Sequence, residues 1–267
     1  MNFVPKHHSR VMGEDERRYR APALEKGLDI LELIATQPEP ITLPAIVKTL
    51  GRSTGELFRM IQVLQFRGFI EQSPNGNGYQ LTSRLLALAM DQPSVKGLVE
   101  IALPRMRLLS EETGQSCHLV MHSQGQIVVV ARVESSGEIG FSVRVGHRRS
   151  LPATVSGCVL YAFQTERTRE RWETLFDESL TPDDRESFKQ RAARAHNMGW
   201  AKARSTFVSG VTDISAPLLR GHEAVGALTI PFVQFVKTKR TLDNCLRLLV
   251  AAAQEISGRL LLSDARI

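Results

Sequence analysis

Hydrophobic positions first fall into a helical rhythm at Ala23. Leu24, Leu28, Ile30, Leu31, Leu33 and Ile34 recur at helical spacing, while Glu25, Lys26, Asp29 and Glu32 occupy the other side. The spacing predicts a first helix that stops before Pro38 and Pro40, which cannot continue it. After an extended link at Ile41 to Leu43, Pro44 suits the first turn of a short second helix built on Ala45, Ile46, Val47 and Leu50. Gly51 and Arg52 make a tight connection. Ser53-Thr54-Gly55-Glu56 then has the form of a capping box, in which Ser53 accepts an amide and Glu56 reaches back. A third helix is expected from there, with Leu57, Met60, Ile61 and Leu64 inward and Arg59, Gln62, Gln65 and Arg67 outward, closed by Gly68. Phe69 to Gln72 and Tyr79 to Thr82 read as strands around the turn-rich segment from Ser73 to Gly78. This order of elements over residues 22–82 is that of a winged helix-turn-helix.

Ser83 to Met90 reads as a linker helix ending before Pro93, inside a connecting segment at 83–97, and a further helix is expected over Leu98 to Thr113 with Gly114 as its stop. Cys117 to Met121, Ile127 to Arg132 and Ile139 to Arg144 look like strands of one antiparallel sheet, the first two joined at Ser123-Gln124-Gly125. Helical patterns follow over Ser156 to Phe163, Arg167 to Phe176 and Pro182 to Asn197. Strands return at Val211 to Ala216 and Ala224 to Pro231 around Gly221, and a final helix covers Leu242 to Leu262. Residues 98–267 therefore predict an α+β domain, an antiparallel sheet with helices packed on it. Residues 1–21 are polar, mixed in charge and without periodicity, and are expected as a flexible tail.

Composition narrows the function classes. The 267 residues are 42% hydrophobic, enough for two domains with real cores, and the formal charge of +6 fits a polyanion-binding protein without requiring one. The charges of residues 1–92 nearly cancel. Cys117, Cys158 and Cys245 are too scattered for a zinc site or a disulfide framework, so no metal and no cofactor is expected. The N-terminus lacks the apolar core of a signal peptide, and no apolar run reaches the length of a membrane span, so a cytoplasmic protein without membrane contact is expected. His118, His122, His147, His196 and His222 stand in no catalytic or metal-ligand spacing and are expected mostly at the surface. Ser156-Gly157-Cys158 at a helix start imitates a nucleophile site, but Gly-x-Ser-x-Gly is absent and no base can be named, so no catalytic residue is assigned and the chain is not read as an enzyme.

A recognition helix fits the major groove and offers its N-terminal side chains to base edges, while basic and amide groups around it hold phosphates. The reading places Thr54, Glu56 and Arg59 toward the groove, with Ser53 at the helix start. Arg52, Lys48 and the wing residues Asn75 and Asn77 are the candidate backbone contacts. Arg59 suits a bidentate contact to guanine or a phosphate contact, and double-stranded operator DNA is the expected partner. The alternative is a docking module or small-molecule sensor that never touches DNA, in which Ser53 and Glu56 merely cap a helix.

The chain resembles the IclR family of bacterial transcriptional regulators from about Ala23 to Leu262. The likeness rests on Leu24 to Leu31, Gly51-Arg52-Ser53 followed by Arg59-Met60-Ile61, Leu64 to Ile70, Val145-Gly146, Leu151 to Gly157, Gly199-Trp200 and Gly210 to Pro217. The resemblance implies a GAF-like effector domain, a homodimer or dimer of dimers, and control, as repressor or activator, of a catabolic operon by a small organic or aromatic acid. Carried over position by position, it implies an effector pocket bounded by Phe141, Val155, Ser156, Ala203, Asp213 and Thr229, with the first amides of the Ser156 helix available to an anionic group. The pattern departs from the family at Cys158, where a Lys is frequent, at Asp213, where a Cys is frequent, around Ala203, Arg204 and Ser205, where an acidic pair is usual, and at Pro231, where a small hydroxyl is common. Asp213 in such a pocket prefers a hydroxyl, amine or cation and repels a carboxylate unless protonated or paired, with Arg148, Arg149 and Arg204 as candidate partners. As plain structure, Asp213 would instead cap or face solvent, and Val155 and Phe141 would be core.

Overall fold

The computed structural model describes residues 21–137, 140–234 and 240–264. Residues 1–20 of the tail expected over 1–21, and the position of Ile139, lie outside the described residues. The chain divides into two compact units, one ending at Asp91 and one beginning at Gln92.

In the first unit, α1 (Pro22–Ala35), α2 (Leu43–Leu50) and α3 (Thr54–Phe66) precede a hairpin of β1 (Ile70–Gln72) and β2 (Tyr79–Leu81), and α4 (Arg84–Met90) follows. Ile30, Leu33, Ile34, Ile46, Leu57, Ile61, Ile70 and Tyr79 are buried together, so the predicted apolar stripes supply the core, except that Leu24 and Leu28 of the first stripe stay exposed. Gly51 ends α2 in the left-handed conformation at φ 62°, its amide bonded to the Val47 carbonyl, and this makes the turn between the two helices. The wing is pinned to the segment before α2 by an antiparallel bridge between Ile41 and Tyr79, with N···O distances of 3.0 and 2.8 Å. Gly78 permits it: φ is +138°, and a Cβ there would lie 2.7 Å from the Ile41 carbonyl carbon.

The second unit opens with α5 (Pro93–Thr113), five residues before the helix expected at Leu98. Pro93 reads as a stop from the N-terminal side, yet its missing amide suits a first helical turn, so the connecting segment expected over 83–97 is two helices separated at Asp91 and Gln92. Six antiparallel strands follow: β3 (Cys117–Ser123), β4 (Gln126–Val133), β5 (Arg148–Ser150), β6 (Ala201–Arg204), β7 (Val211–Arg220) and β8 (Glu223–Val233). Their spatial order is β5-β4-β3-β8-β7-β6. Of the strand expected at Ile139 to Arg144, the described residues 140–144 form no strand. Phe141 to Arg144 have alternating polarity but no ladder, and the edge position is taken by Arg148–Ser150 paired with Gln126–Val128.

Helices α6 (Val155–Ala162), α7 (Glu166–Glu173), α8 (Pro182–Met198) and α9 (Leu242–Asp264) complete the unit. α5 and α9 pack together on one face of the sheet. Gly226 belongs to that face, because a Cβ on it would sit 3.1 Å from Leu98 of α5. Val120 and Ala227 point to the opposite face, into a core shared with Cys158 and Val159 of α6 and Phe188 of α8. The buried Arg105 guanidinium ties α5 to α9 through Glu255, at 2.9 Å, and also reaches Glu112. The side-chain amide of Gln115 brackets the Val233 main chain with bonds of 3.0 and 3.1 Å, fixing the end of β8 beside the start of β3.

Candidate nucleic-acid interface and effector site

Helix α3 exposes one continuous stripe. Gly55, Arg59, Gln62 and Phe66 follow at four-, three- and four-residue steps, which places them on one side, opposite the buried Leu57 and Ile61. Lys48, Arg52, Ser53, Thr54, Arg59, Asn75 and Asn77 are all exposed. Among the described residues, the side chains of Lys48, Arg52 and Arg59 make no ion pair or hydrogen bond within the chain. Gln62 stands on the same exposed stripe, its side-chain amide donating to the Gln65 amide oxygen at 3.5 Å. An amide on this stripe can bond the two polar atoms of an adenine edge, as Arg59 can those of guanine.

Two expectations are corrected at the start of α3. Ser53 occupies the N-cap, but its hydroxyl accepts no helix amide and donates instead to a Glu56 carboxylate oxygen at 3.0 Å, so the capping box is only half made. Glu56 does not face a groove, because its carboxylate pairs with the Lys26 ammonium of α1 at 2.7 Å and so fixes α3 against α1. The Lys26 hydrogen bond, followed by that from Ser53, holds this exposed carboxyl at about 2, well below the ordinary 4.5. A carboxyl depressed in the folded state contributes its stability above the unfolded value and loses it as pH falls. The clasp between α1 and α3 is therefore expected to weaken from about pH 4.5 down through about pH 2. A carboxyl carbon titration by NMR should give Glu56 a midpoint near 2, and a midpoint near 4.5 would mean that no clasp exists in solution.

In the second unit the effector candidates gather on the α6 face of the sheet. Ala203 is opposite Asp213, and Asp213 is opposite Pro231, which forms one cross-strand row. The next row runs from His118 through Thr229 and Ser215 to Ala201. Thr229 and Ala227 alternate to the same face, so both rows look toward α6. Val155 and Ser156 are buried in the first turn of α6, where the Thr154 cap accepts the Gly157 amide at 2.9 Å and the Ser156 hydroxyl at 3.5 Å. The first two amides of the helix have no acceptor within it. Phe141 is half-buried, and its neighbour Gly140 lies against Ser116 and Ser135, at the end of the sheet where β3 starts and β4 finishes.

None of the three arginines pairs with Asp213 in an ion pair among the described residues. Arg148 and Arg204 are exposed, and Arg149 lies over the Phe207 ring at 4.6 Å. The Ser205 hydroxyl is the partner instead, and burial pushes the Asp213 carboxyl above its ordinary value against that bond. Thr229 and Ser215 bond each other at 2.9 Å.

His118 is a buried polar side chain on the same face that the sequence reading does not place in the candidate site. It is 7% exposed, against the expectation of a surface position, and its Nδ1 is a buried atom with no hydrogen-bond partner. Desolvation, and then the neighbouring His147, lower its pKa to about 4, so the ring is neutral near pH 7. His122 is also not a surface ring, since it stacks on Trp172 at 3.8 Å. Burial raises the Cys117 thiol to about 12 and Cys158 to about 11, which keeps both protonated. Two clefts of about 310 and 510 Å³ lie at the other end of α6, around Gln164, Arg220 and Glu223, and none of the six expected effector residues lines either.

Two family models match the chain: the IclR helix-turn-helix domain over residues 23–74 and the C-terminal part of the bacterial transcriptional regulator IclR over 93–258. This chain belongs to the IclR family. It is a transcriptional regulator with an N-terminal helix-turn-helix DNA-binding domain and a C-terminal IclR effector domain. A glycerol operon regulatory protein of Streptomyces griseus is 31% identical over 216 residues, 78% of this chain and 83% of that protein. The DNA-binding transcriptional repressor YiaJ of Escherichia coli is 22% identical over 264 residues, 96% and 93% of the two chains. Among solved structures, an IclR homolog from Microbacterium hydrocarbonoxydans complexed with 4-hydroxybenzoate superposes with a TM-score of 0.75 at 20% identity, covering 89% of this chain and 98% of that one. Among the described residues, no helix of this IclR protein is long and apolar enough to cross a membrane.

Proposed function

We propose that this IclR-family protein is a ligand-responsive regulator of a catabolic operon. It binds a two-half-site operator through α3 and the wing, and a small organic or aromatic acid bound on the α6 face of the second unit changes that affinity. The carrying observation is the unpartnered cationic edge of the first unit, Lys48, Arg52 and Arg59, around an α3 stripe with no buried role. An acid as effector draws support from the free first amides of α6 and from the relative complexed with 4-hydroxybenzoate, and operon control from the glycerol operon regulators. Action as a homodimer or dimer of dimers is supported by apolar side chains left in solvent, Leu24 and Leu28 on α1 and Leu86 and Leu88 on α4, each at least 50% exposed.

Fluorescence anisotropy on the intergenic DNA beside its own gene tests the reading. The logarithm of affinity should fall linearly with that of salt, losing roughly 10³ or more between 50 and 200 mM if about six phosphates are neutralised. An acid from a panel of small aromatic and aliphatic carboxylates should shift the curve. Absence of any complex at low ionic strength would overturn the DNA-binding assignment.

A further inference from the structure

Phe66, the last residue of α3, is 90% exposed, more than any other large hydrophobic side chain among the described residues. The core of the first unit does not use it, since Leu57 and Ile61 fill that core from the opposite side of the helix. The backbone that carries it is firm. The Arg67 amide bonds the Val63 carbonyl and the Phe69 amide bonds the Leu64 carbonyl, both at 2.9 Å. Val63, 55% exposed, lies three residues before Phe66 on the same side of the helix, so the stripe that is polar at Arg59 and Gln62 becomes apolar at Val63 and Phe66. We infer that Phe66, with Val63 beside it, packs on the 5-methyl group of a thymine in the operator and so helps to set which sequence is bound.

Charge decides what covers this ring. A second copy of the chain docked on the same stripe about a two-fold axis would bring Arg59 toward Arg59, and the stripe offers no carboxylate, because Glu56 is held by Lys26. Burying such a cation without a partner is strongly unfavourable. A duplex supplies phosphates and base acceptors to the same cation, and it also offers the apolar end a partner of matching chemistry. In the major groove the bases present hydrogen-bonding atoms, and the thymine methyl is the one apolar group in that pattern. Closing the Phe66 ring on it removes apolar surface of both from water. Arg59 and Phe66 are seven residues apart. That is about 10 Å along the helix axis, so one half-site holds both contacts within about three base-pair steps.

The inference rests on the DNA-binding reading above, and a duplex without methyl groups separates the two. The intergenic DNA beside the gene should be amplified twice, once with thymidine and once with deoxyuridine triphosphate, which removes the methyls and keeps every hydrogen-bonding atom. In anisotropy titrations of the full-length protein at one salt concentration, wild type should bind the thymidine duplex about fourfold more tightly if one methyl is contacted, the effect of burying one carbon, and about 15-fold if each of two half-sites contributes one. Phe66→Ala should not distinguish the two duplexes, while Phe66→Leu, which keeps an apolar side chain, should retain part of the preference. Thermal melts of both variants establish that they fold. Equal affinity of wild type for the two duplexes overturns the inference and keeps the DNA-binding reading. A preference for thymidine that survives Phe66→Ala places the methyl contact elsewhere and overturns it too. If that variant also changes self-association in sedimentation, the ring belongs to a contact with a second copy. No complex with the thymidine duplex at low ionic strength removes the DNA-binding reading as well.

Discussion

Gly157→Ala should lower the stability of the second unit by about 3 kcal/mol and abolish its response to ligand. Gly157 is the third residue of α6, and a Cβ there would lie 2.1 Å from the Leu151 carbonyl oxygen and 2.7 Å from the Thr154 hydroxyl. Neither atom is the loose end of a flexible chain. Leu151 is fully buried in the 3-10 turn Leu151–Ala153, and its amide is anchored to the Gly125 carbonyl at 3.0 Å. The Thr154 hydroxyl is the cap of the helix itself. Relief therefore requires the start of α6 to move as a whole, and that motion carries away the Val155 and Ser156 amides of the proposed effector site. For a unit of this size the melting temperature should fall by roughly 6 to 12 °C, read by scanning calorimetry. Gly258→Ala is the control of opposite sign. That glycine is exposed in α9, nothing lies within 4 Å of a Cβ built on it, and filling it should stabilise by about 0.5 to 1 kcal/mol. A wild-type melt for Gly157→Ala would show that the turn is slack and that the site is not braced as the structure implies.

The first unit was legible because its signals are local. Leu57 and Ile61 on a helical period, Gly51 in a left-handed turn and a Gly-rich wing each specify their own few residues, and they assemble in only one order. The second unit was legible where strands carry apolar alternation and opaque where pairing decides. Ala201–Arg204 has two alanines and two charged residues, and it becomes a strand only because Val211 to Ser215 offer an open edge. Phe141 to Arg144 have the better strand pattern but no partner. His118 was misread for a related reason: in an antiparallel strand with one wet face it would alternate outward, but β3 is central and helices cover both faces, so its position is buried whatever its polarity. The Arg–Asp213 pairing failed because side-chain reach across an edge cannot be read from spacing, and the nearer Ser205 hydroxyl serves instead.

Arg59→Ala should weaken operator binding by roughly 1 to 3 kcal/mol, about 5-fold to 150-fold, with no loss of folding, because Arg59 contributes nothing to the core of the first unit. The guanidinium stands on the same α3 stripe as Gln62, one turn beyond the Lys26–Glu56 clasp that fixes this helix on α1. Two roles for it differ in what a lysine can restore. A phosphate contact is an electrostatic anchor, so Arg59→Ala should lower the salt slope by about 1 and weaken all sequences alike, and Arg59→Lys should recover most of the affinity. A guanine contact needs the planar fork of two parallel donors, so Arg59→Lys should recover little, and the loss should vanish on operators altered at the one base pair that is read. The stripe favours the second outcome, since Arg59 lies opposite Leu57 and Ile61 on the face proposed to enter a groove, whereas Lys48 and Arg52 lie outside that stripe. Unchanged affinity of Arg59→Ala for the operator would remove α3 from the reading surface and leave the wing as the element that contacts DNA.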